Sequence, residues 1–176
     1  MNEGTRVWSL YAAGQIRRWH QKGHTNRPQD LAQHSHGVAL WISILHPNPS
    51  ALLLKAALHH DLPEVATGDT PRYIKQDNPE LKVILEKAEA KAALFYELVT
   101  ETDLVADEVR WLHACDLLDA WLFLFQNILC HNEMVREDFN RATRAMRDYA
   151  ADGTYPYEPT HAMECILKLY PNTKVW

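Results

Sequence analysis

The sequence predicts an all-α fold, and three observations carry that prediction. Apolar residues recur at helical spacing along most of the chain. Sustained period-two alternation, the mark of half-buried strands, is missing. A capping or acidic residue precedes proline at Asn48-Pro49, Thr70-Pro71, Asn78-Pro79 and Glu158-Pro159. Proline at a first helical position loses no hydrogen bond, so these pairs read as four helix starts.

Helices are expected over about 5–20, 29–45, 49–60, 71–77, 79–99, 103–130, 134–150 and 159–169. In the first, Arg6, Gln15, Arg17 and Arg18 run through the apolar pattern. The second buries Val38, Leu40, Trp41 and Ile44, with His34 early in it. The third follows Asn48-Pro49 through the apolar run Ala51 to Leu54. The fourth and fifth start at Thr70-Pro71 and Asn78-Pro79. The sixth is the most hydrophobic, and Gly153-Thr154-Tyr155-Pro156 breaks the chain before the last. Loops are short and no repeat or long linker is visible, so residues 1–176 are expected to form one domain.

At 47% apolar the chain can bury a full core. Its longest apolar stretch, Ala120 to Cys130, is roughly half of what a bilayer requires and contains Gln126 and Asn127. No membrane span and no signal peptide are expected, and the location expected is cytoplasmic. Cys115, Cys130 and Cys165 have no CxxC spacing and read as small, mostly buried hydrophobes. The net charge of −5 is interspersed, which argues against binding a nucleic-acid polymer. Ten histidines are an excess that points to metal or acid–base chemistry.

That excess meets acidic residues in "HHDLPEVATGDTP", residues 59–71. Adjacent His60 and Asp61 can reach one cation only if the helix ends there, because a helix interior sets neighbours about 100° apart. His34 in "AQHSHGVALW" and Asp116 in "HACDLLDAWLFLF" complete a set of two imidazoles and two carboxylates. Burying Asp116 in so apolar a helix needs an offsetting cation or donor network. An arginine partner is an alternative to a metal, and Asp119, one turn later, competes with Asp116 as the ligand. The mixed nitrogen–oxygen set suits a divalent metal such as Mn²⁺, Co²⁺ or Zn²⁺, with Mg²⁺ also open.

These residues resemble the HD-domain phosphohydrolases, whose ligands run His, His-Asp, Asp on separate helices of an all-α bundle. More narrowly the chain resembles the bacterial 5′-deoxynucleotidase branch and its phage dATP triphosphohydrolase relatives. The resemblance rests on Arg18-Trp19, Gln33-His34-Ser35, His60-Asp61 with Glu64, Thr67, Gly68, Asp69 and Pro71, and Cys115-Asp116-Leu117. One departure is Gln33, which stands where the family has an acidic residue and cannot polarise an imidazole.

The resemblance implies metal-dependent hydrolysis of a small-molecule 2′-deoxynucleotide by a homo-oligomer. It favours release of triphosphate from dATP, with dADP and dAMP as further substrates. A general 5′-deoxynucleotidase is the first alternative, and a non-catalytic nucleotide-binding regulatory module is an alternative of another class. His34, His60, Asp61 and Asp116 are the expected ligands, Asp61 and Glu64 the expected catalytic residues. Glu64 lies about one turn after Asp61 and suits general acid/base work, with a second-metal role as the alternative. Arg18 and Lys75 are expected on the phosphates. By resemblance, Asp69 takes the sugar 3′-hydroxyl and Trp19 leaves no room for a 2′-hydroxyl. Gln21, Gln29 and Tyr73 are candidates for a purine edge.

Overall fold

A computed structural model describes residues 2–19, 28–70, 72–171 and 173, without the side chains of 72 and 73. Its α-helices are α1 Glu3–Ala13, α2 Leu31–Leu45, α3 Ala51–His59, α4 Arg72–Asp77, α5 Pro79–Phe95, α6 Ala106–Leu129, α7 Arg136–Ala151 and α8 Tyr157–Leu169. Short 3-10 turns cover Leu62–Ala66, Glu101–Asp103 and Glu133–Val135. None of the helices is long and apolar enough to cross a membrane.

The expected first helix is shorter than its apolar pattern. It stops at Ala13, and the chain turns through Gly14 into an antiparallel ladder, β1 Arg17–Arg18 against β2 Gln29–Asp30. Leu31 N–H donates to Ile16 O and Ala32 N–H to Gly14 O, so backbone bonds to α2 replace those a longer helix would make. A two-residue ladder is too short to leave a period in the sequence.

Two of the four proline pairs mark helix starts imprecisely. α3 is capped by the Ser50 hydroxyl, which accepts from Leu53 N–H, so Pro49 stands outside the helix. α8 begins at Tyr157, and Pro159 lies inside its first turn, where a missing N–H leaves no bond unmade. Asn78-Pro79 does open α5, while Pro71 lies outside the described residues. α5 ends at Phe95, short of 99, where Glu97 takes a left-handed φ of 52°.

α6 is the axis of the domain. On one side Leu112, Cys115 and Trp111 pack with Val38 and Ile42 of α2 and Leu53 of α3. On the other, Leu118, Trp121 and Phe125 pack with Phe139 and Met146 of α7 and Met163 of α8. Asp116 and Asp119 fall at the seam between the two clusters. Of the cysteines only Cys115 is buried; Cys130, the C-cap of α6, and Cys165, on the outer face of α8, are exposed, which corrects the expectation.

Candidate active site

The site is assembled where the starts of β1 and α2, the end of α3 and the middle of α6 meet. The Asp30 carboxylate caps α2 by accepting from Gln33 N–H at 2.8 Å, so His34 enters the core one turn into the helix. α3 ends at His59 with His60 as its cap, and the chain bends into the turn Leu62–Ala66. That bend is what lets sequential His60 and Asp61 face one point.

His34 Nε2 lies 2.9 Å from Asp116 Oδ1, 3.2 Å from His60 Nε2 and 3.5 Å from Asp61 Oδ2. His60 Nε2 is 3.4 Å from the same Asp61 oxygen. His34, His60 and Asp116 each offer a ligand atom within 4.8 Å of the others. His60 Nδ1–H donates to the Ala57 carbonyl at 2.7 Å, an acceptor only, which leaves Nε2 as the nitrogen that faces the cluster.

Asp119 turns out to be a support for His34. Its Oδ2 accepts from His34 Nδ1–H at 2.7 Å and from Gln29 Nε2–H at 2.9 Å, and its Oδ1 accepts from Trp41 Nε1–H at 3.0 Å. This carboxylate does what Gln33, which is exposed, cannot: it fixes the imidazole and raises its basicity. Gly37 makes the approach possible, since a Cβ there would sit 2.0 Å from Asp119 Oδ1.

Arg18 Nη1 donates to Asp61 Oδ2, and the guanidinium is largely buried. Arg18 Nε and Glu64 Oε2 are buried with no hydrogen-bond partner among the described residues. Trp19 takes a left-handed φ of 59°, stacks on Phe123 at 5.5 Å between ring centroids and donates Nε1–H to Gln29 Oε1 at 3.0 Å. Both ends of the Gln29 amide are thereby engaged inside the protein, where the residue is 4% exposed. Gln21 and the Tyr73 side chain lie outside the described residues.

Electrostatics in the cluster are strongly perturbed. Burial and the Arg18 charge work against protonation of His34, but hydrogen bonds to Asp116 and Asp119 prevail and lift its pKa to about 9. Desolvation opposes ionisation of Asp116, yet its hydrogen bond with His34 and the surrounding positive charge hold it well below the usual carboxylate range. Asp61 is also lowered: burial opposes its charge, but His60, Arg18 and His34 outweigh it. Glu64 is pushed up to about 9 by burial and by the charges of Asp61 and Asp69. Asp69 therefore stands within electrostatic reach of Glu64, and it acts on Arg18 as well.

Lys75 is brought only to the margin of this group. Its Nζ pairs with Glu89 Oε1 at 3.3 Å, an oxygen that also accepts from the Thr67 hydroxyl at 3.1 Å. His59 points away and its Nδ1 accepts from Val99 N–H at 3.0 Å, a structural bond between α3 and the chain beyond α5.

The residues fit a divalent cation. Two imidazole Nε2 atoms and the Asp116 carboxylate converge with Asp61 Oδ2 beside both imidazoles, one imidazole is oriented by a buried carboxylate, and unpartnered Arg18 Nε and Glu64 Oε2 flank the cluster. The sequence missed Gly37, Trp41 and the supporting role of Asp119. Gly37 was the available signal, because glycine inside a helix costs about 1 kcal/mol and often marks a close approach.

A search of the curated proteins finds no match. Residues 9–153 match the model of the 5′-deoxynucleotidase YfbR-like family, a span that takes in Arg18, both histidine ligand candidates, Glu64 and the whole of α6. On that match the chain belongs to the YfbR-like 5′-deoxynucleotidase family within the HD-domain superfamily, and it is a metal-dependent phosphohydrolase.

Proposed function

We propose that this enzyme cleaves the ester bond between the 5′ oxygen and the α-phosphorus of 2′-deoxynucleotides, with dATP as its favoured substrate and deoxyadenosine and triphosphate as products. The observation that carries the reading is the convergence of His34, His60 and Asp116, with Asp61 Oδ2 lying 3.5 Å from His34 Nε2 and paired with the buried Arg18. His34, His60, Asp61 and Asp116 would hold the cation, and their nitrogen–oxygen set favours Mn²⁺, Co²⁺ or Zn²⁺, with Mg²⁺ acceptable. A bound divalent cation supplies Lewis acidity, lowering the pKa of water and neutralising charge on phosphate oxygens.

The chain's own groups supply the rest. Arg18 offers Nε–H and its remaining Nη–H groups to phosphate oxygens, and Asp61 keeps its guanidinium in place. Glu64 holds a proton on its carboxyl near neutral pH and acts as general acid toward the departing 5′ oxygen. Asp69 accepts from the sugar 3′-hydroxyl. Trp19, fixed by Phe123 and Gln29, fills the space a 2′-hydroxyl would need.

The cations near the site bear on substrate length. A second positive charge, Lys75, within electrostatic reach of Glu64 favours a chain of phosphates over one, and adenine rests on the resemblance to phage relatives. A second reading, phosphate release from deoxynucleoside monophosphates, is favoured by the family match and by the pairing of Lys75 with Glu89, which leaves Arg18 as the main phosphate donor.

Incubating the enzyme with Mn²⁺, Co²⁺ or Mg²⁺ and each dNTP, each dNMP, ATP and AMP separates the readings. Triphosphate from dATP supports the first, and phosphate from several dNMPs supports the second. Asp61→Ala and Asp116→Ala should each lower turnover by more than the roughly 10–100-fold that loss of an outer partner costs, with the fold retained by circular dichroism. Turnover near wild type in either variant would falsify the site. We also take the enzyme to be a homo-oligomer, supported by the exposed apolar side chains Val7, Trp8 and Tyr11 of α1.

A further inference from the structure

We propose that Gln29 is a positioning residue that joins the sugar-facing side of the site to its metal-facing side. The inference rests on the reading of Trp19 and His34 given under Proposed function. It starts from an unbroken run of buried or half-buried hydrogen bonds. Trp19 Nε1 donates to Gln29 Oε1 at 3.0 Å, Gln29 Nε2 donates to Asp119 Oδ2 at 2.9 Å, and the same oxygen accepts from His34 Nδ1 at 2.7 Å. His34 Nε2, the far atom of that ring, faces Asp116 and His60.

The amide orientation is forced by its neighbours. An indole N–H can only donate and an ionised carboxylate can only accept, so Gln29 can satisfy both only as it stands. Gln29 is 4% exposed, which makes loss of either bond costly. Its backbone is fixed too, paired with Arg18 across the ladder, immediately before the Asp30 cap of α2.

The conformation of Trp19 is the second support. A left-handed φ on a bulky residue is strained, and it persists only where surroundings over-determine it. Here the stack on Phe123 and the bond to Gln29 supply that constraint. A shift of the indole is therefore passed to Asp119, and a shift of Asp119 is passed to the indole. Sugar discrimination and metal affinity become one coupled property.

Calorimetric titration of metal-free protein with Mn²⁺ tests the coupling without turnover, and the ratio of kcat/KM for dAMP over AMP tests the sugar side. Trp19→Phe keeps an aromatic ring beside Phe123 and removes the N–H together with the fused five-membered ring that carries it. It should weaken Mn²⁺ binding by several-fold although it lies on the opposite side of Gln29. Gln29→Glu, which keeps the acceptor for Trp19 but sets two carboxylates together, should weaken Mn²⁺ binding by about tenfold, the low end for outer partners of a ligand histidine. Gln29→Leu should do the same and also lower the dAMP/AMP ratio. In the double variant Trp19→Phe/Gln29→Leu the loss of Mn²⁺ affinity should be smaller than the product of the single losses. Mn²⁺ affinity unchanged in Trp19→Phe, or singles that multiply, overturns the proposal. Failure of the wild-type enzyme to turn over any deoxynucleotide overturns the functional reading instead, and the Mn²⁺ arm still decides the coupling.

Discussion

Asp119 shows how a residue can be picked out by type while its role stays open in the sequence. The sequence places a carboxylate one turn after Asp116 and cannot say which of the two turns to His34 Nε2 and which to Nδ1. Three donors from α2 and β2 decide it, and those contacts are set by packing at long range. Gly37→Ala tests the arrangement directly. The added methyl collides with Asp119 Oδ1, so Mn²⁺ affinity should fall by about 10–100-fold while helix content is kept, as read by titration calorimetry and circular dichroism. The titrating residues give a pH prediction for metal-free protein. His34 has a folded pKa of about 9, above its unfolded value of about 6.5, so its stabilisation is full below 6.5 and is lost as pH rises through 9. Glu64, raised to about 9, keeps a proton in the folded state that the unfolded chain has already released, so it too subtracts stability as pH climbs from about 4.5 to 9. Thermal melts of metal-free protein should show Tm falling across this alkaline window. Glu64→Gln should be more stable than wild type at pH 8 and equal to it near pH 4.5.

At the scale of elements, the catalytic segment depends on where helices stop. α3 must end at His59 for His60 and Asp61 to converge, and α2 must begin after Asp30 for His34 to reach them. Asp30→Ala removes the bond to Gln33 N–H and should cost about 0.5–2 kcal/mol in denaturant unfolding, with a larger proportional loss of metal affinity than any comparable surface change. The helices themselves were legible because each buries a 3.6-period face, and α6 stood out by its apolarity. The ladder formed by Arg17–Arg18 and Gln29–Asp30 was not, because two residues carry no period, and apolar residues beyond Ala13 extended the pattern of α1 past its true end. Ser50 and Pro156 were likewise hidden behind prolines that looked like better starts.

For the whole molecule, the all-α architecture could be read from spacing, and the ligand candidates from residue type and the family resemblance, whereas the seam between two core clusters that receives them could not. That seam depends on α6 packing against four other helices at once, information spread over most of the chain. The surface carries a prediction of its own. Trp8 is 69% exposed beside Val7 and Tyr11, and Arg6 ties this helix to Tyr96 and Glu97 near the apolar end of α5. If copies of the chain associate through this face, Trp8→Glu should reduce the mass seen by light scattering coupled to size exclusion while leaving the melt of the subunit unchanged. The imidazolium of His34, held between Asp116 and Asp119, has an effect on how the protein must be handled. A cation has to displace the proton on Nε2, so its apparent affinity declines as the pH falls. The sequence is isoelectric near pH 6.0, below the raised pKa of His34, so metal should be held less tightly at the pH where the chain carries no net charge than in mildly alkaline buffer. Metal content measured after isoelectric precipitation should therefore be lower than after handling at alkaline pH, and adding cation at alkaline pH should restore it.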